Sequence, residues 1–144
     1  RIRFSESQER VFFTTAPFPP EKDTTKLEEE IPVLDVWHWN EPVLQSVQLN
    51  NRKQNLKESY MAVYHPDQDK MVQLETEDYT GIKWIDQGDG DKVLAWTYLP
   101  YGVRRMWVGY PYHQDFYLVD VQTGEAKMFK DDCRATPEVA RDGQ

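Results

Sequence analysis

Three stretches of this 144-residue chain collect side chains able to grip a ligand or do chemistry. The longest is Tyr98-Leu99-Pro100-Tyr101-Gly102-Val103-Arg104-Arg105-Met106-Trp107-Val108-Gly109-Tyr110-Pro111-Tyr112-His113. Aromatic rings interleaved with arginine are the usual composition of a recognition surface. Arg104 or Arg105 can pair with a substrate carboxylate or a neighbouring domain, and Trp107 and His113 belong to the same run. The competing reading is a connector between sheets that packs on its own scaffold. The second stretch is Trp37-His38-Trp39. Residues two apart on a strand share a face, so the indoles can stack together on a sugar or peptide ring. Packing between neighbouring sheets is the commoner use of such a pair, with His38 on the opposite side as a structural imidazole. The third is Asp86-Gln87-Gly88-Asp89-Gly90-Asp91, whose carboxylates suggest a hard cation. Its spacing departs from the EF-hand loop and lacks the closing glutamate, so it reads as an acidic hairpin turn.

The machinery of a self-sufficient enzyme does not assemble from this sequence. The four serines are Ser5, Ser7, Ser46 and Ser59, and none lies in the Gly-x-Ser-x-Gly frame of a nucleophile elbow. His65 falls in a hairpin loop and His113 in an irregular segment, neither with metal partners at standard spacing. Cys133 is the single cysteine, so no internal disulfide forms. No catalytic residue, metal set or cofactor motif is therefore assigned. A net charge of -8 argues against the clustered cations of nucleic-acid or anionic-membrane binding. No apolar run approaches the ~20 residues of a spanning helix. Glu28-Glu29-Glu30 is a solvated charge run.

What must position these residues is a strand signature that occurs twice. Ile2-Arg3-Phe4, a turn and Arg10-Val11-Phe12-Phe13-Thr14-Thr15 correspond to Ile82-Lys83-Trp84, a turn and Lys92-Val93-Leu94-Ala95-Trp96-Thr97. Each copy is followed by a second hairpin pattern, Tyr60 to Leu74 and Phe116 to Phe129. Internal repetition of this kind predicts an all-β fold of antiparallel four-stranded blades, a partial β-propeller. Hairpins are expected near 1–16, 33–49, 60–74, 82–98 and 116–130, with a long insertion near 17–59. Within that insertion, residues 33–39 read as a strand and 43–49 as its return. A propeller needs at least four blades of about 40 to 45 residues, and roughly two fit here. The expectation is a slice of a longer polypeptide, its tail at 140–144 opening another strand-and-turn unit.

The run Leu34-Asp35-Val36-Trp37-His38-Trp39, with Thr15-Ala16-Pro17 and Pro20-Glu21-Lys22-Asp23-Thr24-Thr25 upstream, resembles the propeller portion of the prolyl oligopeptidase family of serine peptidases. The resemblance is to its bacterial dipeptidyl- and acylaminoacyl-peptidase-like branch. Tyr60-Met61-Ala62-Val63-Tyr64 fits the same pattern, and Tyr117-Leu118-Val119-Asp120-Val121-Gln122-Thr123-Gly124 also resembles TolB-type repeats. The resemblance implies a propeller that restricts or guides peptide substrates to a C-terminal α/β-hydrolase domain outside this chain. Partners would be further blades, that domain and the peptide, and the location periplasmic or secreted. A different class of reading is a stand-alone β-rich module that recognises a glycan or protein through exposed aromatics. Trp37, Trp39, Arg104, Arg105, Trp107 and His113 are the candidate binding residues in either case.

Overall fold

The computed structural model describes residues 2–18, 21, 25, 34 and 36–140. Eight strands follow one another: β1 (Arg3–Phe4), β2 (Val11–Thr15), β3 (Tyr60–His65), β4 (Lys70–Gln73), β5 (Gly81–Trp84), β6 (Lys92–Thr97), β7 (His113–Asp120) and β8 (Ala126–Arg134). They form two antiparallel meanders, β1-β2-β3-β4 and β5-β6-β7-β8. Valine, phenylalanine, tyrosine and tryptophan dominate the central strands, where branched and aromatic side chains pack well on a pleated surface. The two sheets share a pairing register. Phe4 lies opposite Val11 as Trp84 lies opposite Val93, and Arg3 opposite Phe12 as Lys83 opposite Leu94. The repeated signature is therefore a repeated structure.

One core joins the sheets. Phe12, Val63, Val72 and Leu74 of the first sheet and its exit meet Val93, Ala95, Val119 and Val121 of the second. Because side chains alternate across a strand, Phe12, Val63 and Val72 share one face through their direct pairing. The Trp84 ring closes the edge of this layer, stacked on Phe12 with centroids 4.7 Å apart. At the other end, buried His65 bonds the Val121 carbonyl through Nε2 at 3.0 Å. A carbonyl only accepts, so Nε2 carries the proton. His65 thus belongs to the last position of β3 and to the core, where the sequence suggested an open loop.

Asp86 to Asp91 does turn the β5–β6 hairpin, through a 3-10 turn at Asp86–Gly88. Its polar groups are taken up by the first hairpin. Asp89 accepts from the Ser7 backbone N–H at 2.8 Å and the Ser7 hydroxyl at 2.7 Å. Arg10 donates to the carbonyls of Gly88, Asp89 and Gly90 at 3.3, 2.9 and 2.7 Å. Gly88 has φ +100°, and a Cβ there would lie 3.0 Å from the Phe12 ring, so glycine suits both the turn and the close approach. Two turns far apart in sequence form one clasp between the sheets.

This clasp makes stability acid-sensitive. The Ser7 hydroxyl holds the Asp89 carboxyl below its ordinary range, with lesser help from the Ser5 hydroxyl, the Ser7 N–H and Arg10, against opposing burial. Asp120 is lowered too, by the backbone N–H of Thr123 and then that of Gln122. A carboxyl with a depressed folded pKa stabilises fully above its unfolded value and loses that contribution as pH falls through the folded one. Glu75 has the opposite sign, because burial raises it and ionisation there costs stability. Denaturant titrations should therefore show stability falling below about pH 3.8, the ordinary aspartate value. Asp89→Asn should flatten that acid limb; an unchanged slope would mean that the clasp does not titrate.

Between β2 and β3 the chain leaves the sheet. The expected strand at 33–39 falls partly outside the described residues; residues 36–38 have no regular structure, and Trp39 and Asn40 form a turn. The expected return strand at 43–49 is corrected as well. Helix α1 (Gln45–Asn55) occupies it, with no buried residue. The physical reason lies in the topology: β2 pairs with β1 on one edge and β3 on the other, so neither β2 nor β3, the strands that this segment joins, has a free edge to offer it. Without a partner, Gln, Leu, Arg and Lys favour helix, and Arg52 and Lys53 suit its C-terminal dipole. The tail at 141–144 lies outside the described residues.

Candidate functional site

The aromatic run between β6 and β7 folds into a 3-10 turn (Leu99–Tyr101) and a four-residue helix, α2 (Gly102–Arg105). Its polar groups are mostly satisfied locally. The Arg105 guanidinium lies between the rings of Tyr98 and Tyr112, 4.0 and 4.4 Å from their centroids. Tyr110 meets Tyr112 edge-on at 5.7 Å. Arg134 of β8 donates to the carbonyls of Pro111 and Gly109 at 2.9 and 3.1 Å, pinning the returning chain. Tyr101 donates its hydroxyl to Asp115 at 2.7 Å, and the Asp132 N–H bonds the same carboxylate at 2.9 Å. The hydrogen bond to Asp115 and burial push the Tyr101 phenol up to about 12. It is a locked donor, unsuited to taking a proton near neutral pH.

His113 bonds Asp132 through Nδ1, and Arg104 approaches the same carboxylate at 3.9 Å. The Arg104 pair is about half exposed on both sides, so its contribution is small. Of the four candidates in this run, Arg105 and His113 are bound into the loop's own scaffold and Arg104 is loosely tethered. Trp107 is 85% exposed and free to meet a ligand.

Trp37 and Trp39 require a correction. Packing between sheets was the preferred use of the pair, yet they are 71% and 87% exposed. The reason is the missing strand: with no sheet partner, neither ring has a facing layer. Instead they border a shallow apolar depression of about 270 Å³ with Val36, Val43, Leu44 and Met106. Gly102 is where the insertion touches the loop, since a Cβ there would come within 2.2 Å of the Pro42 side chain. The structure thus brings two separate sequence candidates to one surface, the Trp37–Trp39 segment and the loop bearing Met106 and Trp107. Arg104, Arg105, Trp107 and His113 do not line the depression. Sequence reading missed Leu44 and Gln48, and did not single out Met106 within its run. The signal available was helical, Leu44 and Gln48 being one turn apart after Pro42.

This surface can bind by apolar and aromatic contact. It holds no activated nucleophile: among the described residues no serine hydroxyl is hydrogen-bonded to a histidine, and Ser5 and Ser7 bond each other at 3.2 Å. Comparison of the chain with protein-family models, with curated proteins and with solved structures finds no match.

Proposed function

We propose that this chain is a non-catalytic pair of neighbouring β-propeller blades from a serine peptidase of the prolyl oligopeptidase family. Its role there is to restrict or guide peptide substrates toward a hydrolase domain carried elsewhere in the same polypeptide. The observation that supports this most is the duplication itself: two four-stranded meanders with one strand order and one register, packed over a common core. The chain passes from the last strand of one sheet to the first strand of the next, as consecutive blades require. The family assignment rests on the sequence resemblance around Trp37-His38-Trp39. In the parent, peptide hydrolysis would run through an acyl-enzyme on a serine outside these residues.

The test is the reading frame beyond Gln144. A Gly-x-Ser-x-Gly sequence should follow, and the full-length product should be labelled by a fluorophosphonate that reacts with activated serines. A complete frame without that motif rejects the peptidase reading.

The exposure of Trp37, Trp39 and Trp107 favours one alternative, a binding module for a glycan or a protein. In that case oligosaccharides should quench tryptophan fluorescence of the isolated chain saturably, and Trp37→Ala with Trp39→Ala should abolish the change.

A further inference from the structure

The two sheets meet through faces that are not equivalent. The first presents Phe12, Val63 and Val72, and the second Val93, Ala95 and Val119. In the shared register Val11, Phe13 and Tyr64 are the counterparts of Val93, Ala95 and Val119, and they lie on the outer face of the first sheet. Leu94 and Leu118 are the counterparts of Phe12 and Val63, on the outer face of the second. Each outer face therefore repeats a face that the internal contact uses. Two pairs of counterparts show what the outer faces lack. Trp84 stacks on Phe12, whereas its counterpart Phe4 is 57% exposed. Leu74 follows Gln73 as Phe129 follows Met128, in matching register, yet Leu74 is 1% exposed within the shared core and Phe129 is 55% exposed. The Phe129 ring stacks only on Phe116 of its own sheet, centroids 6.1 Å apart. Leu94 is buried and Leu118 half-buried, so Phe129 is the exposed part of that face.

We infer that the outer face of the first sheet docks on the outer face of the second sheet of another copy of this chain, repeating the internal contact head to tail. Charge fits this arrangement. Phe4, Val11, Phe13, Ala62, Tyr64 and Met71 share the first sheet's outer face, an uncharged patch in a chain that is 29% charged. In the internal contact Val72 meets the β7–β8 turn, its Cγ1 3.2 Å from where a Cβ at Gly124 would lie. Lys127 is the counterpart of Val72, and Asp69 of the β3–β4 turn is the counterpart of Gly124, with φ +48° and +78° at the two turn residues. Repetition of the contact between copies sets the Lys127 ammonium against the Asp69 carboxylate, and both residues are exposed. The two surfaces differ, so the contact is heterologous and builds a ring or a row of copies rather than a two-fold dimer. The inference rests on the duplicated register and is independent of the peptidase assignment.

The test is sedimentation velocity of the full 144-residue chain over a range of concentrations. Species larger than the 17.1 kDa monomer should grow with concentration. Phe4→Asp and Phe129→Asp, each at an exposed position, should each leave only monomer. Mixed in equal amounts, these two variants should form a dimer and nothing larger, because each keeps one intact surface of the opposite kind. Lys127→Glu should weaken association about tenfold, and adding Asp69→Asn should recover most of the loss. An unchanged near-ultraviolet circular dichroism spectrum checks the fold, and the charge variants carry the test should either aspartate variant fail to fold. A wild-type chain that stays monomeric throughout, or a folded Phe129→Asp chain that still associates, overturns the inference. Either result leaves the reading-frame test of the peptidase assignment untouched.

Discussion

Phe12→Ala should destabilise the chain by about 3 to 5 kcal/mol, the largest effect expected of any single substitution here. Phe12 is 2% exposed and the largest of the fully buried side chains. It is the first sheet's main contribution to the shared core, reaching across to Trp84 and the Gly88 turn. Truncation removes apolar burial and leaves a cavity between two sheets whose backbones are each fixed by hydrogen bonds, so collapse is limited. Phe12→Leu keeps most of the volume and should cost less than about 1.5 kcal/mol. A double-mutant cycle with Trp84→Leu should show coupling of about 0.5 to 1.5 kcal/mol from the stacked rings. Denaturant unfolding followed by tryptophan fluorescence measures all three. A loss below about 1 kcal/mol for the alanine variant would mean that the sheets do not share this core.

The second large effect is at Arg10. Its side chain is 15% exposed, while its ion-pair partner Asp91 is 85% exposed. The ion pair therefore contributes little. The carbonyls of Gly88, Asp89 and Gly90 decide the outcome, because they converge on one Arg10 nitrogen and lose that donor together. Arg10→Ala should cost about 2 to 3 kcal/mol, within the range for a charged donor serving partly buried acceptors. The urea midpoint should fall by roughly 1 M with an unchanged slope. Arg10→Lys should recover only part of this, since an ammonium lacks the planar fork. If lysine restored full stability, the clasp would be a simple charge effect and the geometry would be incidental.

The β-strands were largely legible because their pattern is local. Val93 to Thr97 and Tyr60 to Tyr64 are runs of branched and aromatic residues bounded by turn formers, and such runs have few alternatives. The duplication reinforced them: Trp84 facing Val93 and Phe4 facing Val11 occupy matching places in sequence and in register. Residues 43–49 were misread because Val43, Leu44, Val47 and Leu49 satisfy a strand's tastes as well as a helix's. What decided between them was that β2 and β3, the strands on either side of this segment, already pair with each other and with β1 and β4, and that is a property of the whole topology. The exposure of Trp37 and Trp39 follows from the same pairing.

Arg10 shows a different limit. The repeated signature pairs Arg10 with Lys92, two bases in equivalent places, yet Lys92 is exposed and Arg10 is mostly covered. The difference comes from carbonyl groups 78 to 80 residues away, which no local pattern encodes. The candidate surface was half legible. Aromatic composition singled out Trp37 and Trp39, but their meeting with Met106 of the β6–β7 loop goes with Gly102 lying against Pro42.

The connector that departs from β2 and rejoins at β3 has a consequence for how such chains change over time. Strands β2 and β3 are zipped together from Val11 opposite Tyr64 to Thr15 opposite Tyr60, whatever lies between them. Lengthening a surface excursion of that kind adds little entropic penalty, each doubling costing only about 0.6 kcal/mol. The described part of that excursion, residues 36–59, is mostly exposed, and it is thus an exchangeable cassette that a protein engineer can swap while the framework beneath it stays the same.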